Sequence, residues 1–221
     1  MSKFSIGLLL AAAVFAGPAV ADEMIPAERH AALGEAVAMY ERGDLGGAEL
    51  RFTALAAAGE AAAAHNLAVM HLRGELPNPS VARARDLLMQ AAGQGFVTAQ
   101  LALGELYESG RLGAPDLPEA LAWYERAALS GSVDAEVATG TAYFMGRGTP
   151  VDSAQAVHWY RQAANHGDVG AQYILGSMYE KGDGVSADLR LARYWYAAAA
   201  RQGDEAAPAK LKDIDARLTA Q

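Results

Sequence analysis

Chemistry needs particular side chains at particular spacings, and in this chain of 221 residues the candidates are few. The histidines are His30, His65, His71, His158 and His166. No two stand three or four residues apart, the spacing that sets a ligand pair on one helix face. The chain has no cysteine, so thiolate zinc sites, iron–sulfur clusters, thiol nucleophiles and disulfides are excluded together. Gly182-x-Gly184-x-x-Ala187 has the outline of a dinucleotide fingerprint. That motif requires a strand before it and a phosphate-facing helix after it, whereas the residues before Gly182 have a helical pattern. The sequence contains no G-x-x-x-x-G-K-[ST], no H-E-x-x-H, no G-x-S-x-G and no S-x-x-K with K-T-G. No catalytic residue, metal or cofactor is therefore expected. The Asp and Glu residues read as helix caps and solvated faces.

The elements that carry these residues are helical. The hydrophobic fraction is 52%, and 51 residues are alanine, which loses no rotamer freedom in a helix and lets neighbouring helices approach closely. This composition is too apolar for intrinsic disorder. A formal charge of −8 lacks the basic footprint of a nucleic-acid binder. No nucleic-acid partner is expected.

Residues 1–21 read as an export signal. Lys3 supplies the positive start, Ile6 to Ala16 form an apolar run of 11 residues, and Ala19-Val20-Ala21 matches the A-x-A cleavage pattern. Cleavage is expected between Ala21 and Asp22. A spanning anchor needs about 20 apolar residues, and no later segment offers them, so no membrane insertion is expected after cleavage. The expected location is the periplasm or the exterior.

A repeat of 36 residues organises the remainder. Gly59, Gly95, Gly131, Gly167 and Gly203 keep that step, as do Gly74, Gly110, Gly146 and Gly182. So do Trp123, Trp159 and Trp195, each followed by Tyr124, Tyr160 or Tyr196, and the series Tyr107, Tyr143, Tyr179 and Ala84, Ala120, Ala156, Ala192. Four units follow without gaps: 63–98, 99–134, 135–170 and 171–206. Each reads as two helices separated by a loop of helix breakers, such as Gly146-Arg147-Gly148-Thr149-Pro150. Ser80, Asp116, Asp152 and Asp188 fall at the N-cap of the second helix. Asp116 with Glu119 and Asp152 with Gln155 have capping-box spacing. Ala156, Trp159, Tyr160, Ala163 and Ala164 trace one buried stripe, in which a Trp is expected to fill space left by alanines on a neighbour. His166, in a last turn, suits the helix dipole.

This frame resembles the Sel1-like repeat, a relative of the tetratricopeptide repeat. The resemblance rests on Ala171-x3-Leu175-Gly176-x2-Tyr179-x2-Gly182-x-Gly184-Val185-x2-Asp188-x3-Ala192-x2-Trp195-Tyr196-x2-Ala199-Ala200-x2-Gly203. Leu112 departs from it at a loop glycine, Thr139 at the helix leucine, and the first unit carries His71 and Leu87-Leu88 for the aromatic residues. The resemblance implies an all-α, right-handed solenoid of antiparallel helix pairs, about five pairs in all, with a C-terminal capping helix. Residues 22–62 supply one more, tetratricopeptide-like pair around Gly43-Asp44-Leu45-Gly46-Gly47. Residues 207–221, opening at Pro208, supply the cap, whose polar face suits the end of a stack.

The resemblance further implies a protein–protein interaction module, an adaptor or regulator that binds a protein or peptide along its concave face. Carried over by register, the inward positions are His65, Val69, Leu72 and Arg73, then Leu101, Glu105, Glu108 and Ser109. The third unit supplies Val137, Thr141, Phe144 and Met145, and the fourth Tyr173, Ser177, Glu180 and Lys181. An apolar centre at Phe144, Met145 and Tyr173, flanked by Glu105, Glu108 and Glu180, suits a partner with an apolar anchor and basic residues. Alternatively these side chains pack against the adjoining loop or second helix. A second reading, an envelope enzyme acting on cell-wall material or a β-lactam, follows from links of some relatives to such substrates. It requires a nucleophile or metal that the motifs do not supply.

Overall fold

The computed structural model describes residues 26–220. The signal and its cleavage position lie outside the described residues. Every regular element in the described span is an α-helix: α1 (Pro26–Glu41), α2 (Leu45–Ala57), α3 (Ala61–Arg73), α4 (Val81–Gly93), α5 (Val97–Glu108), α6 (Leu117–Leu129), α7 (Val133–Met145), α8 (Ser153–Asn165), α9 (Val169–Lys181), α10 (Leu189–Arg201) and α11 (Ala207–Thr219). No described helix is long and apolar enough to cross a membrane. The chain forms two compact units, one up to Pro115 and one from Asp116. Their boundary falls between α5 and α6, inside a repeat.

In the first unit α3 packs between α2 and α4, and α4 packs on α5. In the second, each helix from α6 to α11 packs on the next. Short connections force these neighbours to run antiparallel.

Side-chain caps fix where seven of the described helices begin. The side chains of Ser80, Asp116, Asp152 and Asp188 accept the N–H groups of Arg83, Glu119, Gln155 and Leu191 at 3.0–3.2 Å. The first helices have a cap series of their own, which the sequence reading did not include. Ser132 caps α7 by accepting from Ala135 and Asp168 caps α9 by accepting from Ala171; a further 36 residues on, Asp204 makes the same kind of bond to Ala207 in the turn before α11. The capping box is only half formed. Glu119 accepts the indole N–H of Trp123 at 2.9 Å instead of reaching back to its cap. The Asp152 and Asp188 N–H groups donate instead to the carbonyls of Tyr143 and Tyr179, both at 2.9 Å.

Two glycine pairs set how tightly the second unit closes. Gly140 and Gly176 lie under the rings of Tyr160 and Tyr196, where a Cβ would stand 3.0–3.1 Å from ring carbon. The tyrosines of the last two aromatic pairs thus fill the space left by a glycine on the partner helix. Gly148 and Gly184, at φ +79° and +69°, bring their loops onto the Leu117 and Ser153 carbonyls at the starts of α6 and α8. At the corresponding place in the second repeat stands Leu112, and the positive φ moves to Gly113. There Arg111 reaches the Leu72 carbonyl at 2.6 Å instead.

The second unit's core holds Ala156, Tyr160, Ala163, Ala171, Leu175, Met178, Ala192, Tyr196 and Ala199. Trp123 and Trp159 are buried. Trp195 is half-buried against the same core. The first helices carry a buried polar position at every repeat from the second on: Gln100, Glu136 and Gln172. Gln100 and Gln172 donate to the carbonyls of Ala92 and Ala164 at the end of the preceding helix. A carboxylate cannot donate there, and Glu136 pairs with His166 Nδ1 at 2.9 Å. His166 is therefore held by a buried carboxylate, beyond the dipole effect read from its position.

Candidate functional site

The inward positions of each unit sit at the same turns of successive first helices, yet they differ in what they offer. In the first unit, His65 and Val69 are fully buried. This corrects their assignment to a partner-facing surface. Ala62 to Leu72 of α3 are all buried, because α2 and α4 close on this alanine-rich helix from both sides, and the Phe96 ring stands 5.4 Å from the His65 ring. Arg73 is exposed, donating to the Tyr40 hydroxyl at 2.9 Å, and that hydroxyl donates to Glu75 at 2.9 Å. Leu101, Glu105 and Glu108 on α5 are half-buried.

Burial holds the His65 imidazole well below its ordinary range, at about 4. Neither ring nitrogen has a hydrogen-bond partner. A group whose folded pKa lies below its unfolded value resists protonation only when folded. Its contribution is intact above pH about 6.5 and is lost as pH falls toward 4. The next repeat has Leu101 at this register. His65→Leu is expected to stabilise the chain by about 1–3 kcal/mol, the cost of an unpaired buried polar group. It also flattens the fall of the melting temperature between pH 6.5 and 4. A thermal melt series over that range checks both, and an unchanged slope counts against the assignment.

In the second unit, Val137 is half-buried against the core. The Thr141 hydroxyl donates to the Val137 carbonyl at 2.8 Å and lies 2.9 Å from the Tyr160 hydroxyl. Tyr173, half-buried, meets Tyr196 edge-on with centroids 5.2 Å apart. Ser177, also half-buried, lies near enough to the Tyr196 hydroxyl to favour its ionised form. Phe144 and Met145 stand open, 42% and 62% exposed.

Glu180 is not an open acid. Its carboxylate accepts from Lys210 at 3.0 Å, from Arg217 at 2.8 Å and from the Tyr196 hydroxyl at 2.8 Å, and its side chain is 10% exposed. Burial pushes its pKa up, but the bonds from Lys210, Tyr196 and Arg217 outweigh that and hold it below the ordinary value. Burial, followed by the bond to Glu180, raises the Tyr196 phenol in turn. The second unit thus keeps the apolar centre read from the sequence and loses its acidic flank to α11.

The glycines of the dinucleotide-like outline both have structural roles. Gly182 ends α9 in the left-handed conformation, and Gly184 carries the loop contact with α8. Among the described residues, no three His, Asp or Glu side chains come together as a metal site would need.

The family model for the Sel1 repeat matches residues 61–96, 97–132, 133–168 and 169–204. The chain belongs to the Sel1 repeat family. These limits begin two residues ahead of the frame read from the sequence and keep its period. Sel1 repeat proteins are generally non-enzymatic protein-interaction scaffolds. A protective antigen of uropathogenic Escherichia coli strains displaying an SLR fold is 34% identical, with a TM-score of 0.70 over 76% of this chain and 36% of its own. A Sel1 repeat protein from Oxalobacter formigenes is 35% identical, with a TM-score of 0.68 over 76% of this chain and 49% of its own. The chain therefore spans about a third to a half of the length of these two relatives. A Sel1 repeat protein from Klebsiella pneumoniae subsp. pneumoniae shares the fold at 24% identity and a TM-score of 0.51, over 85% of this chain and 93% of its own. No curated protein matches the sequence.

Proposed function

We propose that the chain is an exported, non-catalytic interaction module, periplasmic or secreted, that holds a segment of a partner protein against the inner face of its first helices. The exposed pair Phe144 and Met145 carries this reading. The same two positions hold Leu72 and Arg73, Glu108 and Ser109, and Glu180 and Lys181 in the other repeats, so the repeat frame does not demand apolar side chains there. Exposed large apolar neighbours at a register that the second and fourth repeats fill with polar side chains, and where Leu72 of the first is buried, mark an anchor site. Thr141, Tyr173 and Ser177 add hydroxyls that suit the backbone of an extended or helical segment. Export rests on Lys3, the Ile6–Ala16 run and Ala19-Val20-Ala21.

The test is crosslinking in the native envelope with the chain expressed from its own first residue. Phe144→Ala with Tyr173→Ala is expected to lose the captured partner while circular dichroism stays unchanged. The recovered chain should have the intact mass of a protein starting at Asp22. Retained capture by the double variant would sink the inner-face assignment, and a mass that includes residues 1–21 would sink the export reading.

A further inference from the structure

The second helices of the last three repeats, α6, α8 and α10, share a core-facing frame of alanine, tryptophan and tyrosine. Their remaining positions are unconstrained by it, and α10 fills them in its own way. Where α6 has Pro118, Glu119, Ala122 and Leu129, and α8 has Ala154, Gln155, His158 and Asn165, α10 has Arg190, Leu191, Tyr194 and Arg201. Arg190, Tyr194 and Arg201 lie at i, i+4 and i+11, along one ridge of the helix, with Leu191 beside them. Tyr194 is 57% exposed and Leu191 41%. The Tyr194 ring is set edge-on to Trp195, with centroids 4.9 Å apart.

The charge on this face runs against that of the molecule. α10 contains three arginines and no acidic residue, in a chain of net charge −8. Arg193 is engaged, its Nε donating to Asp215 of α11. Arg190 and Arg201 are exposed and form no ion pair among the described residues.

We propose that the outer face of α10 is a docking surface for an acidic segment of a partner protein that carries an aliphatic or aromatic anchor. The anchor packs on Leu191 and Tyr194, and carboxylates on either side receive the forked donors of Arg190 and Arg201. A short segment feels mainly the charges within a Debye length, about 8 Å at physiological ionic strength. Within that length it meets Arg190 and Arg201 together with Asp188 and Asp204 at the two ends of the helix, whose carboxylates are already held by backbone N–H groups of α10 and the start of α11. An anionic membrane is a wide plane, and laid on this face it covers Asp215 beside Arg193 as well as the free arginines. Leu191 and Tyr194 also bury too little apolar area to hold a helix at a lipid interface. A second copy of this chain brings a net charge of the same sign. The surface is separate from the inner face of the first helices and stands whether or not that face binds.

The experiment is selection of twelve-residue peptides displayed on phage against the immobilised full chain. The counter-target is the variant Arg190→Glu, Leu191→Ser, Tyr194→Ser, Arg201→Glu. All four positions are exposed, so the variant keeps its helicity by circular dichroism. The enriched pool is expected to be rich in Asp and Glu around a Leu, Ile, Phe or Trp. Its members should bind the variant at least tenfold more weakly in fluorescence anisotropy, and Phe144→Ala with Tyr173→Ala as tightly as the natural chain. A pool without acidic bias, or one that binds the variant equally, overturns the proposal. Cosedimentation with phosphatidylcholine–phosphatidylglycerol vesicles, lost in the variant, would reassign the face to lipid. A dimer seen by light scattering and lost in the variant would reassign it to self-association.

Discussion

Gly184→Ala is expected to lower stability by about 2–5 kcal/mol, and Gly182→Ala, two residues away, by about 1–2 kcal/mol. Both glycines have positive φ, +80° at Gly182 and +69° at Gly184. An alanine in the left-handed region costs about 1–2 kcal/mol at either. At Gly182 the added Cβ meets its nearest atoms at 3.4 Å, an ordinary contact. At Gly184 it would overlap the carbonyl of Ser153 at the start of α8. That carbonyl belongs to a capped first turn and cannot give way without loosening the Asp152 cap. The loop must lift instead, at a further cost of about 1–3 kcal/mol, typical of overpacking. The pair therefore separates local strain from the inter-repeat contact. At roughly 3 °C per kcal/mol for a chain of this size, Gly184→Ala melts about 10 °C lower and Gly182→Ala about 4 °C lower. Equal melting temperatures would show that the loop contact contributes nothing.

The fold was legible because its demands recur. A helix pair that stacks on copies of itself needs the same cap, the same small residue and the same aromatic ring in each copy, so Asp152 and Asp188 or Gly146 and Gly182 announce one another. The Ser132 and Asp168 caps and the Asp204 turn lay in the same periodicity and were readable by the same step. The unit boundary was not. It falls in the second repeat, where Leu112 breaks the glycine series, and one departure from a pattern does not state its structural consequence.

Candidate site residues were harder to read because exposure depends on what else packs nearby. His65 and Leu101 share a register, but α3 lies under α2 and α4, and its histidine is sealed in. Glu180 reads as an open acid beside Glu108 in register. Its fate depends on Lys210 and Arg217, 30 and 37 residues further along, and only the path of α11 brings them to it. Nothing in the sequence sets Glu136 apart from the solvated acids around it. Its burial at the Gln100 and Gln172 position shows it only once the helices are stacked. Phe144 and Met145 were legible for the opposite reason. They stand where the second and fourth repeats have polar pairs, and their exposure needs no distant partner to explain it.

Deleting residues 207–221 is expected to cost about 3–5 kcal/mol and to make the chain associate. α11 occupies the place of a fifth first helix. Ala207 and Ile214, both fully buried, stand 36 residues after Ala171 and Met178, while Lys212 and Asp215 replace Gly176 and Tyr179 at the positions that would receive another second helix. The helix thus completes the core on one side and presents charge on the other, as the end of a stack requires. Its loss uncovers Tyr196 and Ala199, which are fully buried in the intact chain. Removing Ile214 alone withdraws about 1.5–3 kcal/mol of burial. The deletion also strips Lys210 and Arg217 from Glu180, but it opens that carboxylate to water at the same time, so the lost ion pairs, themselves with half-exposed cations, add little to the loss of the core. The electrostatic share has its own signature. Because Glu180 titrates below its ordinary value when folded, its contribution is present above pH about 4.5 and is lost as pH falls through the folded value. Melts of the full chain should therefore fall more steeply below pH 4.5 than those of Glu180→Gln. Light scattering and thermal melts of the deleted chain decide the rest. A monodisperse protein with an unchanged midpoint would mean that α11 caps nothing, and a lowered midpoint without association would confine its role to the core.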